Sequence, residues 1–215
     1  MPRVAAAEHA LAAPSRWRAS PRRLVQLTAG LCAFGAGEGL IVASELGNSP
    51  WTVLAEGVAV QTGLAIGVAT VAISFLILLA WVPLRQRPGL GTIANAVVVG
   101  AGIDVTLALV ERPDAAAVRA AYLVLGIALV AVGSGLYLTT FLGPGSRDGL
   151  MTGLHRLTGA PIGGIRTAIE VGALAVGWAL GGTFGIGTLA FALVIGPAVA
   201  AVLRLGASPE SLRGL

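Results

Sequence analysis

Six apolar blocks punctuate the chain, at roughly 24–45, 65–83, 91–110, 120–141, 164–181 and 186–204. Each is long enough to cross about 30 Å of hydrocarbon as an α-helix. Two intervening stretches break the pattern: GNSPWTVLAEGVAVQTG at 47–63 and GPGSRDGLMTGLHRLTG at 143–159 are too short or too polar to cross. Each predicts a short helix, at 50–62 and 147–158. Ser49 before Pro50 reads as an N-cap followed by the first helical residue, Ser146 caps the second helix, and Gly63 and Gly159 stop them. In the second, Leu150, Leu154 and Leu157 form a stripe opposite Asp148 and Thr152. That stripe suits an amphipathic helix at the membrane interface. The alternative is a pair of re-entrant half-helices whose N-termini point at a substrate.

Sliding the chain along itself by 96 residues aligns 24–100 with 120–196 and superposes ten glycine pairs, among them 37/133, 47/143, 63/159, 67/163 and 100/196. Chance placement gives roughly one or two such pairs. LGNSPWTVLAEG matches LGPGSRDGLMTG, QTGLAIG matches LTGAPIG, and GLGTIANAVVVG matches GIGTLAFALVIG. Each half holds three spans and one short helix, and an odd span count makes the second half enter from the opposite side. The expected fold class is therefore all-α: a polytopic membrane protein of six transmembrane helices, built as two inverted three-helix repeats, each with a short re-entrant or interfacial helix. Repeat 1 occupies 24–112 and repeat 2 occupies 119–204. They are flanked by a basic tail at 1–23, expected to be disordered, and a tail at 205–215.

Composition agrees, with 56% hydrophobic and only 11% charged residues, where soluble domains carry about 25% charge. A large soluble domain is excluded. Cys32 is the one cysteine, and no Cys/His cluster exists, so neither an internal disulfide, a structural zinc site nor any other cofactor is expected. All 14 basic residues are arginine. Five lie in the N-terminal tail, and Arg85, Arg87, Arg147, Arg156, Arg204 and Arg213 fall on the same side if the spans alternate, against Arg112 and Arg119 opposite. By the positive-inside rule both termini belong in the cytoplasm. The net charge of +4 reflects this orientation and gives no reason to expect a nucleic-acid partner. Trp51 and Trp81 fit the role of interfacial anchors.

At LGNSPW, GLAIG, WVPLRQRPGLGTIANAVVVGAGID, GPGSRDGLM, RTAIE and GWALGGTFGIGT the chain resembles the YczE/YyaS/YitT group of small bacterial integral membrane proteins, and most of all the YczE branch. The resemblance spans about 24–200. It implies a multi-pass protein of the bacterial cytoplasmic membrane and brings no set of binding residues with it.

Ionisable residues inside a bilayer are costly and are functional candidates by default. The first span holds Glu38, with Glu45 near its outer end; the third holds Asn95 and, on the opposite face, Asp104; the fifth starts with Arg166 and Glu170, four apart and able to pair. Arg147 and Asp148 open the second short helix, where an acidic residue also suits the helix dipole. Glu38 and Asp104 have no basic neighbour in sequence and are candidates to bind a proton or cation. Across the duplication these positions do not match: Glu38 faces Ser134, Asn95 faces Phe191, Asp104 faces Ala200, Thr70 faces Arg166 and Ser74 faces Glu170. A symmetric scaffold with unmatched polar contents suits one site at a repeat interface.

Enzyme signatures are absent. GGTFGIG lacks a preceding strand and a lysine, and His155 has no nucleophile elbow to serve. The expected function is a small-solute transporter or permease, not an enzyme, that binds its solute among Glu38, Asn95, Asp104, Arg147, Asp148, Arg166 and Glu170. The alternative is an integral-membrane accessory or scaffold protein that supports a partner enzyme or assembly through small-residue helix contacts, its candidate partners being a second copy of itself or another membrane protein. The bilayer is a partner in either case.

Overall fold

The structure, a computed structural model, describes residues 15–206, and among them every regular element is a helix. In chain order these are α1 (Pro21–Ser44), α2 (Pro50–Thr62), α3 (Ile66–Ala80), α4 (Leu90–Leu109), α5 (Ala116–Leu138), α6 (Ser146–Thr158), α7 (Ile162–Ala179) and α8 (Ile186–Gly206). Helices α1, α4, α5, α7 and α8 are long and apolar enough to cross a membrane, while α2 and α3 form a further candidate crossing bent by 112°. The observed ends lie within about four residues of the six blocks read from hydropathy, an ordinary error for helix boundaries.

Two local expectations need correction. Residues 15–23 are not a free tail. Pro21 to Arg23 begin α1, where the Ser20 hydroxyl accepts the Arg23 N–H. The Leu90 N–H donates to the Arg16 carbonyl, the Arg16 guanidinium to the Arg87 carbonyl, and Arg23 Nε to the Thr140 carbonyl at 2.9 Å. Guanidinium groups here satisfy carbonyls that loops and helix ends leave open. Residues 1–14 and 207–215 lie outside the described residues. The other correction concerns α6, whose N-cap is Gly145, so that Ser146 is already helical. The glycine stops stand as expected, with Gly63 and Gly159 left-handed at φ 73° and 70°.

The 96-residue spacing runs through the backbone. Starts at 50, 66 and 90 recur at 146, 162 and 186. Left-handed residues recur in the same register: Glu45 with Phe141, Gly47 with Gly143, Gly63 with Gly159, and Arg85 with Gly181. Contacts recur with the halves exchanged. The Gly187 N–H donates to the Leu46 carbonyl at 2.7 Å, and its counterpart, the Gly91 N–H, donates to the Leu142 carbonyl at 2.9 Å.

At the centre α1 crosses α5, each helix supplying glycines where the backbones nearly touch. A Cβ added to Gly37 would lie 2.6 Å from the Gly126 carbonyl, and one on Gly126 would lie 2.7 Å from the Gly37 carbonyl. Small residues permit this approach where no hydrophobic drive separates helix from lipid. Leu27, Leu31, Ile41, Ile103 and Val130 fill the space around the crossing.

The halves differ at the seam between their last two helices. In the first half α3 packs along α4, and a Cβ on Gly100 would lie 2.6 Å from the Gly67 carbonyl. In the second half α7 and α8 barely touch, and Gly163 and Gly196, which occupy the same two repeat positions, face open space. Helix α7 is held instead by α2, through the Gly57–Gly177 approach. The turn before α8 is tied to α2 by Glu56, whose carboxylate accepts from the Thr183 N–H at 2.6 Å, the Thr183 hydroxyl at 3.0 Å and Asn48 Nδ2 at 2.7 Å.

A charged cavity at the meeting of the short helices

A cavity of about 410 Å³ opens between the halves, and all eight helices contribute to its wall. Both short helices bring their N-terminal turns to it: Ser49, Pro50 and Trp51 from α2, Ser146, Arg147 and Asp148 from α6. Their remote ends are exposed, as Val60 and Leu157 show at 60% and 72%. The hydropathy stripe of α6 thus belongs to a helix that begins inside the protein and leaves it.

Glu38, 1% exposed, reaches from α1 to the start of α2. Its Oε2 lies 2.9 Å from the Ser49 hydroxyl and accepts the Thr52 hydroxyl at 2.8 Å. Ser49 sits at the N-cap of α2 yet makes no side-chain cap bond. Its hydroxyl serves the carboxylate instead. The positive end of α2 adds to the stabilisation of that carboxylate.

Arg147 of α6 lies over the indole of Trp51 of α2, with Cζ 4.8 Å from the ring centroid. The two residues occupy one and the same repeat position, so this cation–π contact joins the halves at their centre. The ion pairs among the described residues are Arg112–Glu45, Arg119–Glu45 and Arg166–Glu170, and Arg147 enters none of them. Tyr137 donates to Asp148 Oδ2 at 3.2 Å. Beside them Gly145 makes room: a Cβ there would lie 3.2 Å from Asp148 Oδ2, 3.4 Å from the Tyr137 hydroxyl and 3.5 Å from Asn95 Oδ1. Arg166 and Glu170 pair at 2.9 Å on α7, as their spacing predicts, with side chains 57% and 32% exposed.

Of the seven candidates, six line this cavity and Asp104 does not. Asp104 faces α3 and accepts the Gly67 N–H at 2.7 Å. Ala65, the N-cap of α3, has no side chain able to cap, so a carboxylate from α4 takes that role. Asp104→Ala is expected to cost about 1–2 kcal/mol, read as a lower thermal midpoint in detergent, with little change in the cavity itself. Glu45, the C-cap of α1, closes a surface cluster with Arg112 and Arg119 at 3.2 and 2.8 Å.

Sequence reasoning passed over Trp51 and Tyr137 as site residues. Trp51 and Trp81 are not interfacial anchors, being 8% and 2% exposed. Trp81 Nε1 donates to the Ser146 carbonyl at 2.9 Å and seats the first turn of α6, with its ring against Gly149. One signal could have found Trp51: it is the repeat partner of Arg147, and equivalent positions on two short helices that converge must come close together.

These features define a multi-pass α-helical membrane protein with a charged internal cavity. Residues 21–204 match DUF6198, described as a family of unknown function, and the chain belongs to that family. An uncharacterized protein of Haemophilus influenzae is 40% identical over 194 residues, covering 90% of this chain and 89% of that protein. The uncharacterized membrane protein YczE of Bacillus subtilis is 29% identical over 170 residues, covering 78% and 79%. The uncharacterized protein YyaS of the same organism is 29% identical over 164 residues, covering 74% and 82%. No solved structure matches the chain.

Proposed function

We propose that the protein is a small-solute transporter of the bacterial cytoplasmic membrane, with six spans, two inverted halves, re-entrant short helices and both termini in the cytoplasm. The observation that carries this reading is the cavity at the junction of the halves, where the N-terminal turns of both short helices meet buried charge. The exchanged contacts, Leu46 with Gly187 and Leu142 with Gly91, support halves related by a pseudo-two-fold axis. The arginine distribution supports the orientation. In this reading the closed α3–α4 seam and the open α7–α8 seam are the two states of one gate, caught in opposite halves. Transport exchanges them, with Gly163 and Gly196 meeting as Gly67 and Gly100 meet here. The solute crosses chemically unchanged.

The test is two-sided access. In a Cys32→Ser background, Ser74→Cys and Asn95→Cys are labelled with a membrane-impermeant maleimide in right-side-out and inverted vesicles. Labelling of both positions from both faces is expected, and labelling from one face only would overturn transport. A second reading, an accessory protein, is favoured by Gly163, Gly164, Gly172 and Gly196, which have nothing within 4 Å and could seat a partner helix. It predicts one-sided labelling and a stable complex with that partner.

A further inference from the structure

We infer that the cavity binds a small zwitterion, carrying a carboxylate, an ammonium and an apolar side chain in the manner of an apolar amino acid. The inference rests on the transport reading of the same cavity and adds the chemical class of its solute. Three carboxylates and two guanidinium groups line the wall: Glu38, Asp148 and Glu170 against Arg147 and Arg166. Arg166 and Glu170 satisfy one another. Glu38 is bound by the hydroxyls of Ser49 and Thr52. Arg147 remains, its Cζ 4.8 Å from the centre of the Trp51 ring and its N–H groups without an ion-pair partner. A guanidinium fork matches a carboxylate, which it grips through two parallel hydrogen bonds.

A plain carboxylate would leave the charge unbalanced. The wall already has one more carboxyl group than guanidinium groups, so a ligand that brings only a further negative charge adds to the excess. An ammonium on the same ligand restores the balance, and the wall supplies its receptor. Asp148 Oδ2 and the Tyr137 hydroxyl, 3.2 Å apart, share one part of the wall with Asn95 Oδ1: all three lie within 3.2 to 3.5 Å of where a Cβ on Gly145 would stand. An ammonium has three donors for three such oxygens. The rest of the wall, with Phe34, Val99, Val130, Met151 and Phe191, suits a hydrocarbon side chain.

The experiment uses the full chain in detergent and follows its thermal midpoint and titration calorimetry with L-leucine, L-valine, L-methionine and L-phenylalanine. For the leucine skeleton, 4-methylpentanoate lacks the ammonium and 3-methylbutylamine lacks the carboxylate. At least one of the four amino acids is expected to give saturable stabilisation, because a ligand of the folded state raises apparent stability. With leucine, each charge-deleted analogue should bind at least about tenfold more weakly, a loss of about 1.4 kcal/mol. Arg147→Gln should abolish binding while its unliganded midpoint stays near that of the parent. Binding of 4-methylpentanoate as tightly as leucine, stabilisation by sodium chloride alone over choline chloride, or no response to any of the four amino acids would each overturn the inference. The analogue series needs no variant, so it decides even if Arg147→Gln folds poorly. Two-sided labelling without zwitterion binding removes only the ligand class; zwitterion binding with one-sided labelling keeps the ligand and removes transport.

Discussion

Gly67→Ala is expected to lower the thermal midpoint by several degrees, while Gly163→Ala, the same substitution at the same repeat position, leaves it nearly unchanged. At Gly67 the new methyl would fall against the Gly100 carbonyl and within 2.5 to 2.6 Å of the Asp104 carboxyl group. Backbone cannot yield as a side-chain tip can. The α3–α4 seam must therefore part, and the Gly67 N–H bond to Asp104 weakens with it. Overpacking of this kind costs about 1–3 kcal/mol. At Gly163 nothing lies within 4 Å, and alanine in a helix gains up to about 1 kcal/mol over glycine. Transport should invert this ranking of harm. If the seams exchange during the cycle, the alanine at 163 obstructs the α7–α8 contact that the opposite state requires, so uptake into proteoliposomes falls sharply in a protein that is fully stable. Equal destabilisation by the two substitutions would show that α7 and α8 are in fact packed. A stable Gly163→Ala variant with undiminished uptake would remove the exchange of seams.

The contrast between those two glycines also marks how far the sequence could be read. Glycine at a helix crossing is dictated by the closeness of the backbones, so the ten superposed pairs carried the duplicated scaffold, and helices starting at 50, 66 and 90 duly recur at 146, 162 and 186. The difference between the seams was not legible, because Gly67 and Gly163 are the same letter in the same context and only the positions of whole helices separate them. Six of the seven candidate residues line one cavity, since polar and ionisable groups among apolar helices gather away from lipid. Asp104 satisfied that rule differently, by capping a neighbouring helix. Hydropathy registers that a carboxylate is buried and not what it faces. The aromatic anchors failed for a related reason: tryptophan at a span edge suits the headgroup region, but Trp81 found its polar partner in the Ser146 carbonyl of another helix.

Glu38 allows stability and function to be separated in one series. Its carboxylate is 1% exposed and is held by two hydroxyls of α2. Glu38→Ala would leave the Thr52 hydroxyl facing an empty space without its acceptor, while Ser49 keeps only the Thr52 oxygen at 3.1 Å, a loss of about 1–3 kcal/mol and a lower thermal midpoint. Glu38→Gln keeps the volume and one carbonyl oxygen for those hydroxyls, so it should unfold close to the parent. Thr52→Val should be harsher than its size suggests, because it withdraws a donor from a carboxyl group that stays buried, and an unmet buried polar group costs about 1–3 kcal/mol. Against this background uptake becomes diagnostic. A carboxylate that carries charge through the cycle is not replaced by an amide, so Glu38→Gln should lose at least about tenfold in uptake, equivalent to about 1.4 kcal/mol at the limiting step, with its midpoint intact. Parental uptake in Glu38→Gln would reduce Glu38 to an acceptor that orients the start of α2. The functional charge of the cavity would then rest on Arg147, Asp148 and the Arg166–Glu170 pair.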